Sequence, residues 1–319
     1  MTYNPLLVVG FGLGVGILVG MTGIGGGALM TPLLVLFIGT SPITAVGTDL
    51  AYGAITKTVG AIKHWRQHTV DFVLSAWMAI GSVPAAVLGV YVVGILRKQL
   101  GAGAFDSTML YLLAGAIGFT GAMTLIRAIF LKQLIARERD TVQMRTKHKV
   151  AAILLGLSVG FVLGITSAGS GSLIALGLIM IFRLTPHRVV GTDVFHAAIL
   201  LWAGAIAHVV AGNVDYVLAG TILIGSVPGV WIGSHMSIRL PAGTLRTVLG
   251  VVLIGAALGL GSKAGLPIPP LAIALVPAVL AVIVLWERFR NRVHRSDADT
   301  VAQEPAATAP RAKAPLTVL

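Results

Sequence analysis

The chain has 319 residues, of which 56% are hydrophobic and 11% charged, with a mean hydropathy of +0.93 and a net charge of +12. Soluble domains carry about 25% charged residues. A chain this apolar lacks the polar surface to stay dissolved, which excludes an ordinary soluble enzyme, a disordered protein and a nucleic-acid binder. Cysteine is absent, so disulfides, thiolate metal sites and a cysteine nucleophile are excluded too.

The charge lies between charge-free stretches. There is none from Met1 to Thr48, Phe72 to Leu96, Ser107 to Ile126 or Val150 to Phe182. This is the pattern of basic loops joining membrane spans. The start, MTYNPLL, has no basic run, so no cleavable signal peptide is expected. Apolar segments are predicted at 6–21, 27–39, 43–62, 71–96 and 108–131, then at 149–166, 172–183, 187–210, 214–236, 243–262 and 269–286. A regular span needs about 20 residues. The segments 27–39 and 172–183 are too short, and each follows a Gly- or Ser-rich break. Residues 287–319 begin with Arg288, Arg290, Arg292 and Arg295, turn Ala/Pro-rich and read as a disordered tail.

The chain repeats itself at an offset of 144. An ungapped alignment of 12–96 with 156–240 gives 32 identities in 85 positions. The matches include Gly47, Thr48 and Asp49 with Gly191, Thr192 and Asp193, His64 with His208, Asp71 with Asp215, and Pro84 with Pro228. That period is too long for a solenoid and suits the two halves of a transporter. Five segments per half imply opposite orientations. With the N-terminus outside and the C-terminus cytoplasmic, 19 of the 23 Lys and Arg fall in cytoplasmic loops and tail. The expected fold is an all-α integral membrane protein of two inverted-topology repeats with Gly-rich broken or re-entrant helices. Repeat 1 takes 1–131, a cytoplasmic linker 132–148, repeat 2 with a final helix 149–286, and the cytoplasmic tail 287–319.

The breaks read GMTGIGGG at 20–27 and GITSAGSG at 164–171, with AVGTD at 45–49 and VGTD at 190–193. Together with the duplication they resemble the sulfite exporter TauE/SafE family of membrane permeases, over nearly the whole chain to about residue 286. The resemblance implies transport of a small anion, often sulfur-containing, such as sulfite, a sulfonate or sulfoacetate. The second break differs from the first in carrying Ser167, Ser170 and Ser172.

An interrupted helix exposes backbone N–H groups whose dipole attracts an anion. Gly25, Gly26 and Gly27 in one half, and Gly169, Ser170, Gly171 and Ser172 in the other, are therefore candidate substrate-binding residues, with Thr22, Thr166 and Ser167 as further donors. The bland alternative is that the glycines only permit tight packing. GIGGGA at 23–28 also matches a dinucleotide fingerprint, but no soluble βαβ unit surrounds it. Asp49 and Asp193 are ionisable groups inside segments. Either they couple protons or they cap the broken element. His196, three residues after Asp193, is a candidate proton relay. Lys57 could attract the anion, pair with Asp49 or snorkel to the interface. Pro84 and Pro228 are expected kinks, and Asp71 and Asp215 expected N-caps. No cofactor, metal or nucleic acid is expected, and no enzyme constellation is visible. The expected partners are a small anionic substrate and the lipid bilayer. The function expected is a multi-pass transporter in a bacterial inner membrane working by alternating access, with proton coupling open and an anion channel as the alternative.

Overall fold

A computed structural model describes residues 3–22, 27–130, 139–236, 242–283 and 286. The described residues are helical throughout, apart from turns and one isolated bridge between Arg139 and Leu184. Helix α1 is Pro5–Thr22, and α2 is Gly27–Leu33, which widens into a π turn at Leu34–Ile38. Then come α3 (Pro42–Arg66), α4 (Phe72–Phe130), α5 (Thr146–Thr166), α6 (Ser172–Met180), α7 (Pro186–Val210), α8 (Tyr216–Met236) and α9 (Ala242–Lys263). The last described helix, α10, is Pro270–Ile283. Five of these are long and apolar enough to cross a bilayer, and the chain is a multi-pass membrane protein. At about 1.5 Å per residue, the nine residues of α6 fall far short of a span.

The helix ends follow from local chemistry. Pro42 and Pro186 open α3 and α7, where a missing N–H costs nothing. Asp71 and Asp215 cap α4 and α8 as expected: their carboxylates accept from Leu74 N–H at 3.0 Å and Leu218 N–H at 2.9 Å. Gly39, at φ 74°, stops the π turn. Within α4, Gly101 turns to φ 70° and splits the element into two arms. The sequence had already separated them, because Arg97 and Lys98 interrupt the apolar pattern there. Pro84 and Pro228 lie within α4 and α8.

Two helix pairs pack through glycine faces, and equivalent contacts recur: Gly156 meets Met78 and Gly160 meets Ser82, as Gly12 meets Ile222 and Gly16 meets Ser226. Gly156, Gly160 and Gly164 of α5 lie against the backbone of Met78, Ser82 and Ala86 of α4. In the second such pair Gly225, Gly229 and Gly233 of α8 meet the backbone of Val9, Leu13 and Ile17 of α1. Glycine every fourth residue lines one helix face with no side chains, so backbones approach closely; in lipid this contact replaces the hydrophobic effect as the source of cohesion. Helix α3 crosses α7 in the opposite direction, with Gly53 against Leu201 and Gly60 against Val194. At the crossing the Trp202 indole donates to the Thr58 hydroxyl at 2.9 Å, and these two are equivalent positions. Such a contact between a residue and its own counterpart is what a two-fold axis relating the repeats would require.

Polar contacts sort the loops to two ends. Arg188 donates to Val70 O at 3.1 Å, and Arg139 pairs with the strand-like stretch at 183–185. At the other end the Arg97 guanidinium donates to the Asn213 side chain at 3.4 Å.

Candidate functional site

The G-T-D elements begin with structural duties. Gly47 lies against the Asn213 carbonyl, and Gly191 against the Thr69 carbonyl, with no room for a side chain. Thr48 accepts from the Asp215 N–H at 3.0 Å, and Thr192 accepts from the Asp71 N–H at 2.9 Å. Each half thus grips the turn that opens a long helix of the other.

The aspartates then diverge. Asp49 is fully buried and accepts two hydroxyl hydrogen bonds, from Thr31 of α2 at 2.5 Å and Ser167 of the second break at 2.6 Å. The residues equivalent to Thr31 and Ser167 are Ala175 and Gly23, so Asp193 has no such hydroxyls. The Oδ1 of each aspartate is buried without a hydrogen-bond partner, so the hydroxyls on Asp49 Oδ2 are what separate the two. Electrostatically Asp193 faces Lys57 of α3 and Arg127 of α4. Arg127 in turn faces Arg246 of α9.

Arg127 lies near the end of α4 and Arg246 near the start of α9, both helices apolar and long enough to cross a membrane, while Lys57 lies within α3. Lys57 is 7% exposed and Arg127 6% exposed, while Arg246 is half-buried. Lys57 is therefore packed within the protein. The carboxylate that acts on it electrostatically is Asp193. No ion pair within 4 Å joins them; among the described residues such contact occurs only between His187 and Asp140, at 3.7 Å. The Nε atoms of Arg127 and Arg246 are buried and unpartnered. Lys57 and Arg127 thus act on one carboxylate without closing on it, and Arg246 adjoins Arg127.

The remaining candidates take these places. His196 is fully buried, but its ring lies 3.2 Å from the Ser82 hydroxyl and 3.5 Å from that of Ser75; no hydrogen bond joins it to Asp193. His208 meets the Gly164 carbonyl at 3.0 Å. At the second break Ser167 (φ 59°) and Gly169 (φ 104°) carry the chain through left-handed geometry. Thr166 donates to Val162 O at 2.7 Å, and Ser172 shares a hydrogen bond with Thr124 at 2.7 Å. Ser170 is buried, with no hydrogen bond to another described residue, and Gly171 directly precedes α6. Thr124 stands one turn before Arg127, so α4 links this break to the cation cluster. Gly25 and Gly26 lie outside the described residues, Thr22 ends α1 and Gly27 begins α2.

Sequence reasoning missed Thr31, Arg127 and Arg246. Thr31 sits in an apolar run, with nothing to mark it. The two arginines follow charge-free stretches and read as loop residues, whereas α4 and α9 carry them inward. Among the described residues no cluster of His, Asp or Glu could hold a metal.

Residues 8–260 match the family described as Sulfite exporter TauE/SafE. The chain belongs to this family. It is 40% identical over 250 residues to "Probable membrane transporter protein YjnA" of Bacillus subtilis, covering 77% of this chain and 96% of that one. A second Bacillus subtilis relative, "Probable membrane transporter protein YdhB", is 29% identical over 73% of this chain and 91% of its own. A "Probable membrane transporter protein" of Xylella fastidiosa is 28% identical over 81% of this chain and 95% of its own. No solved structure matches the chain significantly. Family and relatives agree on a membrane transporter.

Proposed function

We propose that the chain transports a small oxyanion, of the class to which sulfite and organic sulfonates belong, by alternating access of two inverted halves. One observation carries this reading: the buried Lys57 and Arg127 both act on the single carboxylate of Asp193, and the half-buried Arg246 adds a third positive charge beside Arg127. Each ion held away from water costs several kcal/mol unless it is compensated. Buried ionisable groups in an apolar membrane protein are by default functional candidates. With three positive charges and one negative, the missing partner is an anion.

The antiparallel crossing of α3 and α7 supports inversion, since an axis in the membrane plane reverses equivalent helices. The repeats then take 1–131 and 149–286, joined by a linker at 132–148. Basic-residue bias orients the N-terminus outside and the tail in the cytoplasm. The breaks at Gly25–Gly27 and Gly169–Ser172 supply N–H donors on the same path. Asp193 holds the cations while the site is empty and yields them to the arriving anion.

Purified protein titrated with sulfite, methanesulfonate, chloride and sodium should bind the oxyanions saturably, and Arg127→Gln should weaken that binding. Equal affinity for all four salts would refute the assignment.

A further inference from the structure

Two cavities meet on the flank of the molecule formed by α4, α5 and α6. The first is an apolar groove of about 740 Å³ lined by Tyr111, Gly115 and Phe119 of the second α4 arm, Leu155 of α5 and Leu173 of α6. Tyr111, Gly115 and Phe119 are exposed, so the groove opens to the protein surface rather than to the interior. Its size is that of an ordinary ligand pocket, about 300–1,000 Å³. The second cavity, of about 610 Å³, is polar and lined by Arg139, Arg145, Lys147, His148 and Arg183, with no acidic residue among the described residues of its wall. Met180 and Ile181, at the end of α6, line both.

The basic side chains are not spent on each other or on the fold. Those of Arg139, Arg145, Lys147 and Arg183 make no hydrogen bond or ion pair with another described residue; only their main chains are engaged. The nearby Asp140 is turned to Thr185 at 2.9 Å and His187 at 3.7 Å. Basic loop residues at a membrane surface are ordinarily just solvated. Here they converge on one cavity that continues into a hydrocarbon-lined groove. A free phosphate would fill only the cavity. A neutral lipid would gain nothing from the cations. The combination fits a molecule with an anionic head and a hydrocarbon tail.

We propose that this surface seats one anionic phospholipid, its phosphate among Arg139, Arg145, Lys147 and Arg183 and an acyl chain along the groove past Gly115. The second α4 arm that walls the groove also carries Arg127, so the bound lipid braces a helix of the transport site. The proposal stands apart from the identity of the transported anion.

The test uses the full-length protein in neutral detergent, titrated with phosphatidylglycerol and phosphatidylcholine, with bound lipid read by native mass spectrometry and stability by thermal unfolding. Phosphatidylglycerol should bind and raise the midpoint, and phosphatidylcholine should not. Arg145→Gln with Lys147→Gln should weaken phosphatidylglycerol roughly thirtyfold, two charges being lost near the membrane surface. Gly115→Phe should weaken it as well. A Cβ at Gly115 meets no atom within 4 Å, so the new side chain starts from open space on the groove wall. Inorganic phosphate should not displace the lipid. Equal binding of both lipids, full displacement by phosphate, or unchanged affinity in the exposed double variant would overturn the proposal. So would a change of oligomeric size in Gly115→Phe with lipid binding intact, which would make the groove a contact between copies.

Discussion

Asp49 and Asp193 occupy equivalent positions 144 residues apart, yet only Asp49 has its carboxylate held by hydroxyls, at 2.5 and 2.6 Å. One aspartate ties the short helix α2 to the opposite break. The other faces cations it does not touch. Duplication supplied two copies of the element, and the surroundings gave them separate work.

Replacing each by Asn should therefore have opposite consequences. Asp49→Asn weakens hydrogen bonds to a charged acceptor, worth about 1.5–3 kcal/mol, and should lower the thermal midpoint. Asp193→Asn removes the negative charge that competes with the substrate. Anion affinity should rise, turnover should fall, and stability should come to depend on added anion. Binding and flux measured on the same preparations separate the two.

The cations should act on affinity. Lys57→Leu installs the residue found at the equivalent position 201. Arg127→Gln keeps polarity without charge. Each should cost roughly ten- to a hundredfold in anion affinity, the worth of one charged hydrogen bond. A thermal-shift titration with sulfite measures it. Lys57→Leu paired with Asp193→Asn keeps the net charge of the cluster and controls for misfolding.

Thr48→Val and Thr192→Val should behave alike. Each strands one backbone N–H, that of Asp215 or Asp71, at about 1–3 kcal/mol. Both should lower the unfolding midpoint by similar amounts and leave anion affinity in the folded fraction unchanged.

The path from sequence to site was legible where periodicity and charge speak. Apolar runs marked the spans, and the charges at Arg97 and Lys98 separated the two arms of α4. The offset of 144 found residue pairs that the fold uses reciprocally, such as Thr48 with Thr192 and Asp71 with Asp215. Hidden were contacts made by residues with no counterpart. Thr31 is matched by Ala175 and Ser167 by Gly23, so the repeat gave no hint that they converge on Asp49. Arg127 stands at the end of an apolar run, where a loop cation and a buried one look the same; only the packing of α4 against α9 distinguishes them. His196 and Asp193 share a helical spacing, but Ser75 and Ser82 of α4 claim the imidazole.

Orientation can be checked without background labelling, because the chain contains no cysteine. Lys98→Cys should react with a membrane-impermeant maleimide in intact cells, and Lys147→Cys only after permeabilisation. The reverse pattern would invert the topology.

The central claim is that an anion moves through the cluster of Lys57, Arg127, Arg246 and Asp193. Its most direct test is flux of sulfite into proteoliposomes holding the wild-type protein or Arg127→Gln, with sodium and chloride as controls. The account predicts saturable sulfite flux with the wild type, strongly reduced at low sulfite in the variant, and no comparable movement of sodium. Sulfite flux that is undiminished in a folded Arg127→Gln protein, or selective movement of sodium instead, would contradict it.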